Sequence, residues 1–435
     1  MFKILKNILK TKELRDRFFF TIGMLIVFRI GVQIPSPGVD LMRLMEITKA
    51  GGSGGGLADF LNLFTGGARE NASIFSLGVM PYITAMIILQ LLKSVVPSIE
   101  QMLKEGPEGR KKFQQYGRLA TVLVTIIQGV IFAQGLIRQN TGEQFLYMEG
   151  IPFIIVFTLS VTAGTLVLMW MGEQITERGI GNGISLIIMV GIVARLPHSL
   201  FRLFIGVEKG ATDPLNLIII LLVFFVIIGF VVFEELGLRK IPIQHTNRGA
   251  GAQVAYLPFK VNPTGVIPII FASSLLIFPS QLSSWFGGKI HILKVISDQM
   301  LPGKLWYSIA YFALILFFAY FYTEVEINPH DISENLRKSG AFIPGIRPGQ
   351  KTEEHLAYIL SRITLPGAIF LGIIALLPNV VINVLNVPSN LGYLMGGTSL
   401  LIMVGVALET LKQVESLLLM YRMDGFLLKG DKKGL

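Results

Sequence analysis

Apolar residues in this chain gather into runs of membrane-crossing length, separated by shorter polar stretches. A spanning helix needs roughly 20 predominantly apolar residues, with about 17 at the short end. Ten segments fit that pattern: 18–34, 74–92, 119–136, 151–171, 182–196, 215–233, 263–278, 305–323, 365–384 and 394–411. The fifth and seventh are short and rich in Gly or Pro, so they carry the weakest hydropathy signal. The first is of full span length with no small-residue cleavage site behind it, so it reads as a span and not as a cleaved signal peptide.

Two of these segments open on nearly the same words. Gly78-Val79-Met80-Pro81-Tyr82-Ile83 matches Gly265-Val266-Ile267-Pro268-Ile269-Ile270, 187 positions further on. Proline in a spanning helix frees backbone groups that protein or water must satisfy. A proline-marked span in each half predicts an internal repeat with the working site between the halves. Coincidence is the plainer alternative in a chain that is 52% apolar. The repeat divides the chain at about 209–214, into an N-terminal half, 1–208, and a C-terminal half, 209–435. Five is odd, so equivalent spans run in opposite directions. The expected fold is all-α and polytopic, ten helices in two inverted halves.

Composition excludes a soluble globular domain: mean hydropathy is +0.63 and only 15% of residues are charged. Cysteine is absent, so neither disulfides nor thiolate metal sites are available. His198, His245, His291, His330 and His355 all fall outside the predicted spans, which argues against an intramembrane His metal site or proton relay. With the N-terminus inside, the inner segments hold 27 Lys and Arg and the outer segments 10. That bias places both termini in the cytoplasm. It also accounts for the net charge of +10 without nucleic acid, while leaving a basic inner face for anionic lipid or protein. Met1–Arg17 is amphipathic, with Leu5, Ile8 and Leu9 on one helical face, and reads as an interfacial helix.

Ahead of the second span, the flexible run Gly51–Gly56 leads into Leu57, Phe60, Leu61 and Phe64 at helical spacing, ended by Gly66-Gly67 and followed by Arg69. This helix is too short to span. It either lies at the lipid surface or re-enters the bundle, and re-entry is favoured. Two inner loops are long, 234–262 and 324–364. In the second, the Pro and Gly spacing of Pro344–Gly349 suits either a stiff turn presenting Arg347 or an ordinary solvated turn.

Catalytic signatures are missing, and no cofactor or metal is expected. Gly345–Thr352 resembles a phosphate loop, but Gln350 intervenes before Lys351 and no strand is expected ahead of it. Arg29 lies near the outer end of the first span, free to snorkel or pair, and Glu409 near the inner end of the tenth. No carboxylate stands mid-span, as a proton- or sodium-coupled carrier requires. Thr84, Gln90, Gln128, Ser273 and Ser274 do stand mid-span, either as interhelical hydrogen bonds or as the lining of a polar path. An apolar centre without chemistry fits a conduit gated by dewetting better than a pump. A secondary transporter for a small solute is the competing class. An intramembrane enzyme has no nucleophile or metal set.

Several runs are long enough to carry a family resemblance. They are Gly172-Glu173-Gln174-Ile175-Thr176-Glu177-Arg178-Gly179-Ile180-Gly181-Asn182-Gly183-Ile184-Ser185, Ser73-Ile74-Phe75 with Met80-Pro81-Tyr82-Ile83, Gly265–Ser273, Pro344–Gly349 and Gly396–Ile402. Together they resemble the SecY/Sec61-alpha family of protein-conducting channels, over nearly the whole chain. The resemblance implies a clamshell of two halves around an hourglass pore for unfolded secretory and membrane proteins. It assigns a pore ring to Val79, Ile83, Ile184, Ile188, Ile270 and Ile402, and identifies a helix over 57–73 as the plug, which favours re-entry. A lateral gate would open between spans two and three and spans seven and eight, with Thr84, Gln90, Gln128 and Phe278 along it. Implied partners are SecE, SecG, the motor ATPase SecA, the ribosome, signal-sequence-bearing polypeptides and anionic phospholipids in the cytoplasmic (inner) membrane. No nucleic-acid recognition is implied beyond ribosomal RNA. Arg347 would dock motor or ribosome. The first long inner loop is shorter than is usual in the family and offers only Arg239, Lys240 and Arg248, which puts its docking strength in doubt.

Overall fold

The computed structural model describes residues 11–50, 62, 64–140, 144–208, 214–245, 255–285, 295–296, 298–301, 304–385 and 397–431. In chain order the elements are α1 (Lys12–Gly31), α2 (Leu41–Ala50), α3 (Met80–Val95), α4 (Pro97–Lys104), α5 (Pro107–Gln139), α6 (Ile151–Arg178), α7 (Gly183–Glu208), α8 (Pro214–Leu236), β1 (Leu238–His245), β2 (Ala255–Lys260), α9 (Ile267–Trp285), α10 (Leu305–Glu326), α11 (Pro329–Lys338), β3 (Ala341–Phe342), α12 (Gln350–Leu385) and α13 (Gly397–Asp431). The ten apolar segments fall on α1, α3, α5 to α10, α12 and α13.

Among the described residues, five stretches are long and apolar enough to cross a membrane unaided: Pro107–Gln139, Ile151–Arg178, Leu217–Leu236, Leu305–Lys338 and Gln350–Leu377. Gly183–His198 and Ile267–Leu276 are shorter apolar helices, and they coincide with the two weakest segments of the hydropathy pattern. α3 and α4 meet the same criterion only together, across a bend of 101°. Large aliphatics and aromatics such as Leu119, Leu123, Leu159, Leu222, Phe225, Ile309 and Ile373 point outward, whereas Thr121, Thr125 and Thr165 are buried. That inversion of a soluble protein's surface suits a solvent as apolar as leucine itself, in which close helix packing falls to small residues.

Gly164 shows how tight that packing is. A Cβ built there would lie 2.0 Å from the carbonyl oxygen of Ile74. Backbone cannot retreat as a side-chain tip can. Gly164→Val is therefore expected to force α6 off the segment ahead of α3, at roughly 1–3 kcal/mol or more. Thermal unfolding of the purified protein in detergent checks this, and a melting temperature equal to the parent's counts against it.

Helix pairing repeats between the halves. In the first, α3 packs on α5, α5 on α6, α6 on α7, and α1 on both α6 and α7. In the second, α9 packs on α10, α10 on α12, α12 on α13, and α8 on both α12 and α13. Each helix is replaced by its counterpart five spans on. The repeated words behave alike as well. Gly78 and Gly265 both take left-handed backbone, with φ of +56° and +59°, which a side chain would resist. Each is followed two residues later by a helix start, and the amides of Ile83 and Ile270 donate to the equivalent carbonyls of Val79 and Val266 at 3.1 and 3.3 Å.

Pro81 and Pro268 sit at the second position of these helices, where the missing N–H has no intrahelical partner to lose. They start helices here and free no mid-helix backbone groups, contrary to the sequence reading. Two other boundaries also move. Lys12–Arg17 opens α1 and continues into the first span, while residues 1–10 of the expected interfacial helix lie outside the described residues. His198 and His355 fall on α7 and α12 because both helices overrun their apolar segments.

The fold is not wholly helical. Strands β2, β1 and β3 form a small antiparallel sheet, with Leu238 opposite Lys260 and Gln244 opposite Phe342. Alternation along β1 buries Ile241 and Ile243, and Ile241 joins Phe259, Ile343, Leu356 and Leu360 in a core at the start of α12. The two-residue β3 does precede Gly345–Thr352, where no strand is expected. It makes no phosphate loop, since α12 begins at Gln350 and Lys351 pairs with Glu354 at 2.9 Å. At the other end of the molecule, Asp40 caps α2 through the amides of Met42 and Arg43 and accepts from the Tyr147 hydroxyl at 3.0 Å. The Arg43 amide holds the Asp40 carboxyl below its ordinary range.

Candidate functional site

Six aliphatic side chains from four helices meet between the halves. Val79 caps α3 and Ile83 lies in its first turn. Ile184 and Ile188 lie on α7, Ile270 on α9 and Ile402 on α13. Five of them are buried in one continuous cluster, and Ile184 packs against it half-buried. Ile188 is 1% exposed and Ile402 0%. All six sit within the first six residues of their helices or at the cap. Helix starts leave amides without intrahelical partners and carry the positive end of the helix dipole. The aliphatic side chains themselves offer no hydrogen bond to a passing group, and the helix ends around them disfavour a cation.

The same cluster takes in Phe64 and Ala68, from the segment between α2 and α3. That segment is re-entrant: Phe64 is 3% exposed and Ala68 0%. It is not one helix to residue 73. Residues 62 and 64–65 are helical, and from Gly66 to Val79 the chain runs mainly in turns. Left-handed backbone at Gly66 and Gly67 ends the helix there. Leu57, Phe60 and Leu61 lie outside the described residues. Among the described residues Arg29 has no carboxylate partner and turns to backbone instead. Its Nη1 donates to the Gly66 carbonyl at 3.1 Å. Arg69 lays its guanidinium over the Phe132 ring, 4.3 Å from the centroid.

The seam between the halves runs where α3 and α5 meet α9. Thr84, Gln90 and Gln128 stand half-buried on α3 and α5. The side chain of Phe278 lies outside the described residues. The mid-span hydroxyls singled out in the sequence bond within their own helices among the described residues. Thr84 donates to Met80 O at 3.0 Å, and Ser273 and Ser274 both donate to Ile270 O at 2.8 Å, each within its own helix. Gln90 keeps a buried Oε1 without a partner among the described residues, and so has hydrogen-bonding capacity to spare.

On the inner side, Pro344–Gly349 forms a stiff turn. The Ser333 hydroxyl donates to Gly349 O at 2.8 Å, the Thr352 hydroxyl to Arg347 O at 2.9 Å, and the amides of Thr352 and Glu353 to Gly349 O. Arg347 is exposed, and its guanidinium forms no ion pair among the described residues. Arg239 and Lys240 are exposed on β1, and Arg248 lies outside the described residues.

Three features carried no local signal in the sequence. Arg195 on α7 holds Glu70 through Nη2 at 2.7 and 2.8 Å. Arg118 makes a bidentate pair with Glu173, at 3.0 and 2.8 Å, tying α5 to α6. Glu234 and Glu235, read from sequence as the start of a loop, are buried in the last turn of α8, where Lys412 of α13 donates to the Glu235 carbonyl at 3.1 Å. Each pairs residues far apart in the chain, which spacing does not reveal.

A model of the SecY family matches residues 73–411. The chain is 42% identical over 432 residues to the protein translocase subunit SecY of Escherichia coli (strain K12), covering 97% of this chain and 96% of that one. It is 42% identical over 442 residues to the corresponding subunit of Thermotoga maritima, covering both in full. Among solved structures, one described as a protein-conducting channel superposes with a TM-score of 0.67 at 18% identity over 92% of each chain. Sec61 from a canine ribosome-channel complex superposes at 0.62, with 19% identity and the same coverage. With a family match across most of its length, close full-length relatives and the shared ten-helix layout, the chain belongs to the SecY family.

Proposed function

We propose that this chain is the pore subunit of a protein translocase, passing unfolded secretory polypeptides across the cytoplasmic membrane and releasing apolar segments sideways into it. The observation that carries this reading is the convergence of Val79, Ile83, Ile188, Ile270 and Ile402, from both halves, into one buried aliphatic cluster closed by Phe64 and Ala68. A narrow collar of such side chains stays dry and resists ions when empty. It grips a passing chain without preferring any side chain, as a conduit for many substrates must. In this reading residues 1–208 and 209–435 are the two jaws, the 57–73 segment is the plug, and the seam of α3 and α5 against α9 is the sideways exit. The termini face the cytoplasm. SecE and SecG complete the complex, and the cytoplasmic face around Arg347, with Arg239, Lys240 and Arg248, receives SecA or the ribosome. Ribosome-bound relatives of the same fold support the last of these.

Deleting residues 57–73 tests the reading. Withdrawing the segment uncovers few large side chains, at roughly 1.5–3 kcal/mol each, a cost small enough for reversible opening. The deletion is expected to raise ion conductance of the reconstituted complex in planar bilayers while the spans stay folded. Conductance as low as the parent's would mean that the segment does not seal the pore.

A further inference from the structure

One stripe of α7 serves the constriction along its whole length. Ile184, Ile188, Gly191 and Arg195 follow at intervals of four, three and four residues, which keeps them on one helical face. The first two belong to the aliphatic cluster. At the third the re-entrant segment touches the helix backbone: a Cβ on Gly66 would lie 2.8 Å from Cα of Gly191. At the fourth, Arg195 meets Glu70.

Glu70 is held from both sides. Arg195 Nη2 donates to both its carboxylate oxygens, at 2.7 and 2.8 Å, and Asn62 Nδ2 donates to Oε1 at 3.1 Å. Arg29 bonds the same segment at Gly66 O and stands close enough to Arg195 for the two guanidiniums to repel. Glu70 thus lies beside one of two neighbouring cations, and a segment that left would take the neutralising charge with it. We propose that Arg195 is the catch of the plug: through Glu70 it sets how readily the segment leaves the constriction. The inference rests on the plug reading above and names the residues that position the plug.

The pair suits a catch and not a rivet. Glu70 keeps 39% of its side-chain surface and Arg195 21%, so water and salt screen their attraction. Removing such a pair shifts an equilibrium severalfold. Reversing one charge does more, because attraction becomes repulsion among three cations or leaves two carboxylates facing each other.

The experiment records single channels of the complete reconstituted complex without substrate. Glu70→Arg and Arg195→Glu are each expected to raise the open probability of the idle channel about tenfold. The double reversal restores the seal, and Glu70→Asp keeps it. A role in folding alone would not be rescued by exchanging the charges. If a reversal prevents assembly, Glu70→Gln replaces it, with a severalfold leak expected. Single variants as tight as the parent, or a double variant as leaky as the singles, overturn the proposal. The deletion of 57–73 runs in parallel. If the deletion leaks while the reversals do not, the catch fails and the plug stands. If the deletion seals, the plug reading itself fails and the catch falls with it.

Discussion

Ile402→Asn and Ile270→Asn are expected to let polypeptides with defective signal sequences through, while normal substrates still pass. Both isoleucines are buried in the aliphatic cluster, at 0% and 5% exposure, where an amide has no polar partner. Burying an unpaired amide costs about 1–3 kcal/mol in proteins, and a water that satisfies it must wet the constriction. Either way the closed state loses stability relative to the open one, by roughly 10–100-fold in their ratio at 1.4 kcal/mol per tenfold. On the function proposed above, a signal sequence supplies the free energy of opening, and a weakened closed state needs less of it. Export of a signal-defective reporter beside a normal one decides the matter. A rise in the defective reporter alone supports a gate. A fall in both means that Ile270 and Ile402 are ordinary packing residues whose loss unfolds the bundle.

Arg347→Glu is expected to abolish motor-driven export while leaving the complex assembled. The exposed guanidinium sits on a turn whose backbone is pinned by Ser333 and Thr352 from the helices on either side. A partner docking here would find the turn's backbone already ordered, and a guanidinium binds carboxylates through two parallel hydrogen bonds. Charge reversal turns that attraction into repulsion and should cut SecA-dependent translocation by at least about tenfold, the equivalent of ~1.4 kcal/mol. Because the side chain has no ion pair among the described residues, its loss should leave melting temperature and subunit stoichiometry unchanged. Export at the parent's rate in a reconstituted assay would remove Arg347 from the docking surface.

Much of the layout is legible in the chain because a bilayer asks little of it. Each span must satisfy its own backbone and present apolar side chains, so spans appear as apolar runs whatever their neighbours do. The second and seventh spans were legible for a further reason. Gly78 and Gly265 are needed where the backbone turns left-handed before each helix, so the repeated words mark a repeated shape. The sheet is not legible in the long segment 234–262, because Pro242 and Pro258 interrupt strands whose pairing joins residues far apart in the chain. The Gly66-Gly67 pair marks the end of the re-entrant helix in the sequence, but the turns that follow to Val79 are set by packing inside the bundle and not by local pattern.

Local pattern, then, determined which segments are apolar enough to cross and how Lys and Arg divide between the segments that join them. Those properties are additive along a sequence: each apolar residue and each lysine contributes without reference to distant partners. The family motifs named the collar positions, but their meeting in one buried cluster belongs to the tertiary structure. So do the seat of Gly66 on Gly191, the hold of Arg195 on Glu70, and the burial of Glu234 and Glu235 under α13. Each depends on two segments far apart in the chain arriving within a few ångströms of each other. Isoleucine in a spanning helix looks the same whether it faces lipid, core or pore, and only the packing of the two halves tells these apart.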